Sequence, residues 1–500
     1  MKLFTIGDSI SQGFMSLAAA HTDLSYSTLV AQKLGLNVQQ NYRFADWNQG
    51  IPFDVETIMR RLNQRYGSNI STIEWFTVLQ TINDIVDRAE DFYESGDGHP
   101  EKPYLGRDGK AVEFFNNVAV WGFEVADAWQ VTPRLCADEI RQSRKRFLND
   151  GYLTGPDSPM YRTALKVLNP SLDKKYEDFS QLDWLEKHAK AVEGVENTML
   201  WLGGNNALGT VTTLKINQTP NNPDLRPHNV GHLERLKIRK WNLWHPDDFA
   251  ADYQVLLDKV DRIMRNNKAT DWKVFVGTVP LVTIAPLTKG VGGATDMGDE
   301  KGIYFKYYTY FPFEEDFARE SGVHLTMQDA LHIDDCIRFY NQTIVKATDA
   351  LNAKHGAAKR YHIVDISKSF QEMAYKRNNG QPTYDFPAYF DFIYPMVNTK
   401  YYHADTDGRV RQGGLCSLDG IHPSAIGHGL MAYEFLKVMN AAKVKNEAGK
   451  IIDAGFTDDE WRVIFANDTL YSKPITLMQE IYGKGNLAKH IVKLIQLFKD

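Results

Sequence analysis

Five short apolar runs, separated by helical patterns, constrain the fold of this 500-residue chain more than any other feature. None of the runs alternates apolar and polar residues, which is typical of strands buried on both faces of a parallel sheet. Helices between successive strands would cover both faces of that sheet. The sequence therefore predicts an α/β fold. The predicted strands are Lys2–Ile6, Phe115–Val120, Thr198–Leu202, Trp272–Val276 and Tyr361–Val364.

The helical patterns and the uneven spacing of the runs predict one large domain with insertions. Clear helical patterns cover Ser27–Leu34, Asp247–Asn266 and Cys336–Ala353, and another helix is expected to begin near Ser424. Long excursions from a compact domain usually form lids or binding loops. We therefore expect large, mainly helical insertions that form a cap or lid on a domain of residues 1–444. They lie at about 37–111, 131–196, 207–245 and 281–331.

Residues 445–500 are expected to form a C-terminal helical extension, which opens on a capping box from Thr457 to Glu460. Its last helix, Leu487–Phe498, is amphipathic and lysine-bearing, so a membrane-surface helix and a helix docked on the core are both open interpretations. Docking is favoured because soluble surface helices share this pattern. Within the insertions, Gly203–Trp244 and Leu281–Leu331 are predicted to be long loops.

Composition excludes several classes of partner. The net charge is −6 and no long run carries one sign, which argues against a nucleic-acid partner. No apolar stretch reaches transmembrane length. The first residues carry no signal-peptide pattern, so a cytoplasmic protein is expected as encoded, with a secreted or periplasmic one open if a leader has been removed. The sequence does not indicate an oligomeric state.

No cofactor and no metal is expected. The cysteines Cys136, Cys336 and Cys416 are far apart and form no CxxC pair, so we expect them to be reduced and buried. Neither a P-loop nor a dinucleotide-binding glycine motif is present. The segment His332–Asp335 lacks further ligands at metal spacing and is expected to start a helix. His428 is expected to be structural.

The segment Gly7-Asp8-Ser9 stands where the first predicted strand ends. In an open α/β sheet, ligands bind beyond the carboxyl ends of the strands. Small residues around Ser9 allow a sharp turn and the close approach of a substrate. Taken alone, the triplet is as readily a strand-ending turn. Ser9 becomes a candidate nucleophile only if a base, a carboxylate and oxyanion donors reach the same edge.

A base and a carboxylate come together in the segment Ser417–Pro423. A catalytic serine needs a histidine to take its proton and a carboxylate to orient that histidine. Asp419 and His422, three residues apart, can supply both from one loop. Because this segment follows the fifth predicted strand and precedes a helix, we expect it at the same sheet edge as Ser9.

Two further strand ends offer hydrogen-bond donors for an oxyanion. Asn205 follows the third predicted strand and two glycines, and Gly122 follows the second strand. A side-chain amide, a bare backbone N–H and the N–H of Ser9 would make three donors in one crevice. Taken separately, Asn205 fits a helix cap equally well and Gly122 a turn. The segment Asn48–Gly50 competes with Gly122, which is preferred because its preceding run is more strand-like.

These segments, in this order, resemble the conserved blocks of the SGNH (GDSL-type) hydrolases. The resemblance covers about half of the chain. It implies a three-layer, flavodoxin-like α/β/α fold and the hydrolysis of esters through an acyl-enzyme. The matching segments are Gly7–Ile10 for block I, Asn117–Asp127 for block II, Gly203–Asn205 for block III and Asp419–His422 for block V.

The resemblance also implies a role for each candidate residue. Ser9 would be the nucleophile and an oxyanion donor, and His422 the base that Asp419 orients. Gly122 and Asn205 would be the other oxyanion donors. One departure is the asparagine that follows Asn205, where the family usually has aspartate. Since that residue is not a donor, activity is expected to survive, while the support of the local loop is in question.

The sequence thus predicts a serine ester hydrolase that acts on a small-molecule, lipid or sugar ester. A carbohydrate O-acetylesterase stays open, because the aromatic stretches Trp241–Trp244, Tyr304–Phe313 and Tyr384–Tyr402 fit sugar stacking, an acyl groove or core packing. An acyltransferase also stays open, because it shares the acyl-enzyme. A non-catalytic binding protein on the same fold is the alternative outside the enzymes.

Overall fold

A parallel sheet of four strands organises the molecule, which is described by a computed structural model. The structure describes residues 1–17, 19–46, 54–68, 98–106, 108–144, 158–298, 300–356, 358–479 and 482. The strands are β1 (Leu3–Gly7), β2 (Asn197–Trp201), β3 (Lys273–Gly277), β4 (Thr288–Asp296), β5 (Ile303–Tyr310), β6 (Leu325–Thr326), β7 (Tyr361–Val364), β8 (His403–Ala404) and β9 (Val410–Gln412).

The order across the sheet is β1-β2-β3-β7, and every pair is parallel. Four of the five predicted strands are therefore confirmed, each within one residue of its predicted bounds. All five residues of β1 and of β2 are buried. A strand that is covered on both faces carries apolar side chains on both, and for this reason these segments have almost continuous apolar sequences.

The second predicted strand, Phe115–Val120, is wrong as a regular strand. The structure has an extended segment along the free edge of β1, with one isolated bridge between Thr5 and Asn117. There the N–H of Thr5 donates to the carbonyl of Asn116 at 2.8 Å, and the carbonyl of Thr5 accepts from the N–H of Val118 at 3.0 Å.

A side chain from elsewhere limits this pairing. The Nε2 atom of Gln181 donates to the carbonyl oxygens of Gly7, at 2.9 Å, and of Val118, at 2.7 Å. If the parallel ladder with β1 continued, the carbonyl of Val118 would accept the backbone N–H of Gly7 instead. The Gln181 amide thus replaces part of the ladder at this edge.

The helices that the structure describes lie against both faces of the sheet. Tyr26–Lys33 and Ala425–Ala441 cover the face that carries Met199 and Phe275, whereas the side chain of Leu200 points to the other face. The α-helices are Ser9–Gln12, Tyr26–Lys33, Val55–Tyr66, Asp127–Gln130, Pro133–Arg144, Pro159–Leu168, Gln181–Ala189, Asn205–Thr213, Pro246–Arg265, Glu315–Ser321, Met327–Lys354, Ile366–Met373, Ala425–Ala441, Asp458–Asn467 and Thr469–Ser472.

Two of the predicted insertions differ from expectation. The segment 281–331, predicted to be a long loop within mainly helical insertions, contains the antiparallel hairpin of β4 and β5, extended by β6. The β5 sequence is rich in aromatic residues, which favour strands, but the glycines around it read as loop signals. The second predicted loop, Gly203–Trp244, contains the helix Asn205–Thr213 and a π-helical turn, Glu234–Arg239.

The C-terminal extension packs on the helix Ala425–Ala441, which follows the Asp419–His422 segment. Its helix Asp458–Asn467 begins with the predicted capping box, which is confirmed. Trp461 on that helix is 1% exposed, and its ring meets Phe390 edge-on. The final predicted helix, 487–498, lies outside the described residues.

Two other expectations concern chemistry rather than fold. Cys136, Cys336 and Cys416 are buried free thiols, as predicted. Along the described ranges, no helix combines the length and the apolar character needed to cross a membrane.

Candidate active site

Ser9 lies directly beyond the carboxyl end of β1. Asp8 links the strand to the short helix Ser9–Gln12, and its Oδ1 accepts a hydrogen bond from the N–H of Ile10 at 3.1 Å. This cap starts the helix at Ser9 and fixes the direction of its side chain. The Oγ of Ser9 is 2.9 Å from the Nε2 of His422, which is 413 residues away in the sequence.

Asp419 holds the other side of the His422 ring. Its Oδ2 is 2.7 Å from the Nδ1 of His422. Its Oδ1 accepts the backbone N–H groups of Ile421, at 2.8 Å, and of His422, at 2.9 Å. Ser9, Asp419 and His422 are all buried, so the structure brings the three predicted residues into one hydrogen-bonded chain.

The protonation of Asp419 follows from its surroundings. Burial alone would raise the pKa of this carboxyl, but the charge of His422 and the hydrogen bonds that Asp419 accepts lower its pKa below the ordinary value. An ionised carboxylate only accepts hydrogen bonds, so the Nδ1 of His422 carries the proton. The Nε2 atom is then free to accept the hydroxyl proton of Ser9.

The chain just after Ser9 holds the loop of Asp419 directly, a contact that the sequence analysis missed. The N–H of Leu17 donates to the Oδ2 of Asp419 at 3.1 Å. Ser16 donates from its N–H to the Oγ of Ser417 at 2.9 Å, and its own Oγ accepts the N–H of Leu418 at 3.1 Å. No sequence signal predicts these hydrogen bonds, because they depend on the folded path of both segments.

Asn205 is positioned by the turn after β2. Gly203 has a φ of 128°, and a Cβ at this position would lie 2.6 Å from Cγ2 of Val279, so only glycine fits without strain. The Nδ2 of Asn205 donates to the carbonyl of Phe123 at 2.9 Å. A carboxamide carries two N–H groups, so this bond fixes its orientation and leaves a second donor.

Asn206, which the sequence analysis noted in place of an expected aspartate, hydrogen-bonds to two other segments of the chain. Its side chain is buried, and its Oδ1 accepts the N–H of Val125 at 3.3 Å. Its carbonyl accepts the N–H of Trp244 at 2.9 Å. The carboxamide oxygen of Asn206 therefore holds the backbone at Val125.

Gly122 stands at the turn that ends the edge segment, with a φ of 79° that favours glycine. The neighbouring Trp121 donates its N–H to the Oε1 of Gln12, on the helix that begins with Ser9, at 3.0 Å. Gly122 is not among the residues that line the cavity beside Ser9. Its competitor, Asn48–Gly50, lies outside the described residues.

A buried ionic cluster holds the loop that follows Gly122. The guanidinium of Arg235, which is 1% exposed, contacts Asp127 and lies 3.0 Å from the Oε2 of Glu124. The Nδ1 of His232 is 2.7 Å from the Oδ1 of Asp127. Burial raises the pKa of Glu124 to about 7 although Arg235 lowers it, whereas His232 and Arg235 outweigh burial and lower the pKa of Asp127.

Asp8 is a further titratable group at the site that sequence reasoning did not single out. Burial raises its pKa to about 7, against the lowering effects of the Ile10 hydrogen bond and the charge of His422. Its position in the Gly-Asp-Ser triplet was the only signal available. Its structural role is the cap on the helix of Ser9.

A cleft that is open to solvent lies beside Ser9. Ser9, His422 and Asn205 all line it. The remaining lining residues are mostly apolar: Ile10, Leu208, Leu281, Val282, Ile284, Pro286, Phe370, Ile421 and Met431.

The other histidines singled out by sequence lie away from this arrangement. His428 is buried and accepts the N–H of Tyr26 on Nδ1 at 3.3 Å, and burial lowers its pKa to about 3. His332 lies within the helix Met327–Lys354, which Thr326 caps, so the predicted helix start at this histidine is wrong. Among the described residues, no group of three or more His, Cys, Asp or Glu side chains is placed to hold a metal ion.

Comparisons of this chain with protein-family models, with curated proteins and with solved structures find no match.

Proposed function

We propose that this protein is a serine ester hydrolase with Ser9 as its nucleophile. The hydrogen-bonded chain from Ser9 through His422 to Asp419 carries the proposal, with distances of 2.9 Å and 2.7 Å. This arrangement is the one that serine hydrolases on unrelated folds share. The resemblance of the surrounding segments to the SGNH hydrolases supports the same function.

In the proposed reaction, the Oγ of Ser9 attacks the ester carbonyl while the Nε2 of His422 takes its proton. The imidazolium so formed is stabilised by the carboxylate of Asp419. His422 then protonates the leaving alcohol, and the C–O bond of the ester breaks to leave an acyl group on Ser9. Water, deprotonated by the same histidine, attacks this acyl-enzyme and releases the acid.

The oxyanion of each tetrahedral intermediate is proposed to bind the N–H of Ser9 and the side chain of Asn205. Ser9 opens a short helix, whose first N–H groups have no partners within the helix. Asn205 lines the cavity and retains one N–H group. For Gly122, the proposed third donor, the support is the family resemblance and its turn beside the helix of Ser9.

We propose a flavodoxin-like arrangement of the SGNH kind for the fold. Counting the edge segment 115–120 as a strand, the chain order across the sheet is second, first, third, fourth, fifth. This is the flavodoxin-like order. The crevice at the carboxyl ends of β1 and β2 then holds Ser9 and Asn205.

The test is the Ser9→Ala variant assayed on p-nitrophenyl acetate and butyrate. We expect the activity to fall by at least about 10³-fold, because the nucleophile is removed while the oxyanion donors stay. Ser11→Ala is the matched control on the same helix and is expected to retain activity. A folded Ser9→Ala protein with wild-type activity would falsify the proposal.

A fluorophosphonate probe separates the hydrolase from the non-catalytic binding protein, because only an activated Ser9 reacts with it. Adding a competing alcohol and analysing the products separates hydrolysis from acyl transfer. Formation of the new ester at the expense of the free acid would favour the acyltransferase.

A further inference from the structure

We propose that the cavity beside Ser9 binds an apolar acyl chain of several carbons, and that Leu208 and Phe370 limit its length. This inference rests on the proposed ester hydrolysis and narrows its substrate class. It makes esters of medium-chain fatty acids better substrates than acetyl esters.

The chemistry of the cavity wall carries the inference. Among the described residues that line it, there is no lysine, arginine or glutamate, and the ionisable side chains are Asp8, Cys416 and His422. Asp8 and His422 belong to the machinery around Ser9, and Cys416 is a buried thiol that behaves as a small apolar group. A charged acyl group would therefore meet no counter-charge in this wall.

The polar side chains of the wall outside the Ser9–His422 pair already have protein partners for part of their hydrogen-bonding capacity. The Oγ1 of Thr399 accepts the N–H of Tyr375 at 2.8 Å. Asn205 uses one N–H for the carbonyl of Phe123. A sugar that entered this space would bury hydroxyl groups with few partners, which is costly. An acetyl group is too small to contact more than a few of the apolar residues that line this cleft.

Hydrogen bonds to the backbone hold the segment 285–288 of the wall in place, so the cavity is formed before a substrate binds. The partly buried ammonium of Lys376 donates to the carbonyls of Ala285, at 2.8 Å, and of Thr288, at 2.6 Å. Between them, the N–H of Leu287 donates to the carbonyl of Gly420 at 2.7 Å, which joins this wall to the loop of Asp419 and His422. A preformed apolar site binds a chain at little cost in ordering.

Two apolar side chains on separate helices are suited to set the length. Leu208 lies one helical turn beyond Asn205 on Asn205–Thr213. Phe370 lies on Ile366–Met373, which follows β7. Both side chains are partly exposed and line the cavity, so changing their size alters the space beside Ser9.

The first measurement is kcat/KM for p-nitrophenyl esters from acetate to palmitate, which keeps the leaving group constant. Each methylene that is buried against the wall should raise kcat/KM roughly fourfold, since burying a methylene stabilises by about 0.8 kcal/mol. We expect a rise from acetate to at least hexanoate, followed by a decline when the chain exceeds the cavity.

The second measurement changes the wall. Leu208→Trp should lower kcat/KM for octanoate at least about tenfold relative to acetate. Phe370→Ala should move the optimum to a longer chain. Thr213→Trp and Lys368→Ala, exposed positions on the same two helices, are the matched controls and should keep the wild-type profile.

The outcomes separate this inference from the proposed function. If kcat/KM falls steadily from acetate onward while Ser9→Ala abolishes the activity, the acyl-chain inference is overturned and the hydrolase stands. A profile that none of the wall variants moves also overturns it. If no ester is cleaved in a Ser9-dependent manner, the proposed function itself fails.

Discussion

Single residues at this site combine structural and chemical roles. Asp419 accepts three backbone N–H groups while it orients His422, so its charge both folds the loop and prepares the base. Asp8 caps the helix of Ser9 from a buried position. For Asp419 the hydrogen bonds and the histidine outweigh burial, whereas for Asp8 burial dominates. As pH rises, ionisation of Asp419 therefore stabilises the folded protein, whereas ionisation of Asp8 destabilises it.

Replacing Asp8 with asparagine tests this balance. Its folded-state pKa of about 7 lies above the ordinary value of 3.8, so between these values the folded protein holds a proton that the unfolded chain releases. The contribution of Asp8 to stability therefore falls as pH rises through this window. Asp8→Asn keeps a cap acceptor and should gain stability over wild type by up to roughly 4 kcal/mol near pH 8. The gain should vanish near pH 4.

The measurement is chemical unfolding of both proteins across this pH range. Asp173→Asn is the matched control, because Asp173 also caps a helical turn but is partly exposed and has a lowered pKa. That variant should show no gain as pH rises. A constant difference between Asp8→Asn and wild type at every pH would contradict the prediction.

At the scale of elements, the insertions support the site rather than lie apart from it. The π-helical turn Glu234–Arg239 inserts Arg235 between Glu124 and Asp127, just beyond the turn at Gly122. Thus an element that lies outside the sheet fixes a loop at the sheet edge.

Replacing Arg235 with methionine tests this support. The change leaves two buried carboxyl groups without their cation, so we expect a loss of about 3–5 kcal/mol in the free energy of unfolding. Arg239→Met, in the same turn, removes a half-exposed pair with Glu234 and should cost less than about 1 kcal/mol. Denaturant unfolding measures both changes. Equal effects of the two variants would argue against a supporting role for Arg235.

The same elements explain what sequence reasoning could reach. Four strands were predictable because a strand that is buried on both faces has an almost continuous apolar sequence. The segment 115–120 was not, because the side chain of Gln181 intrudes on its pairing with β1. The role of Arg235 could not be predicted either. Its partner Glu124 lies more than a hundred residues away, and in the sequence a buried ion pair of this kind cannot be distinguished from charged residues on the surface.

The site residues were more accessible than the fold details. Ser9, Asp419 and His422 lie in short motifs whose chemistry is local, and the strand pattern brought their segments to one edge. The contacts of Ser16 and Leu17 with the loop of Asp419 join backbone N–H groups to side chains some four hundred residues away, so no local sequence pattern predicts them.

At the scale of the whole molecule, the C-terminal extension and the catalytic loop share one packed unit. Trp461 packs against Gly429, where a Cβ would lie 2.8 Å from the indole. Gly429 lies on the helix Ala425–Ala441, which begins three residues after His422. The stability of the extension and that of the site should therefore be linked.

We expect Trp461→Ala to lower the free energy of unfolding by about 3–5 kcal/mol. The proposed esterase activity should be lost on heating at the same reduced temperature as the folded structure. Arg462→Ala, an exposed neighbour on the same helix, is the control and should change neither. Scanning calorimetry together with residual activity measures both. Full activity above the first unfolding transition of Trp461→Ala would show that the extension melts independently.

The 413 residues that separate Ser9 from His422 have a consequence for biosynthesis. At ribosomal rates of 5–20 residues per second, roughly 20–80 s pass between the synthesis of the nucleophile and that of its base. Through that interval the nascent chain displays its serine with no means of activating it. Under the proposed mechanism, the chain would therefore become active only near the end of translation, when most of the sheet has already been synthesised.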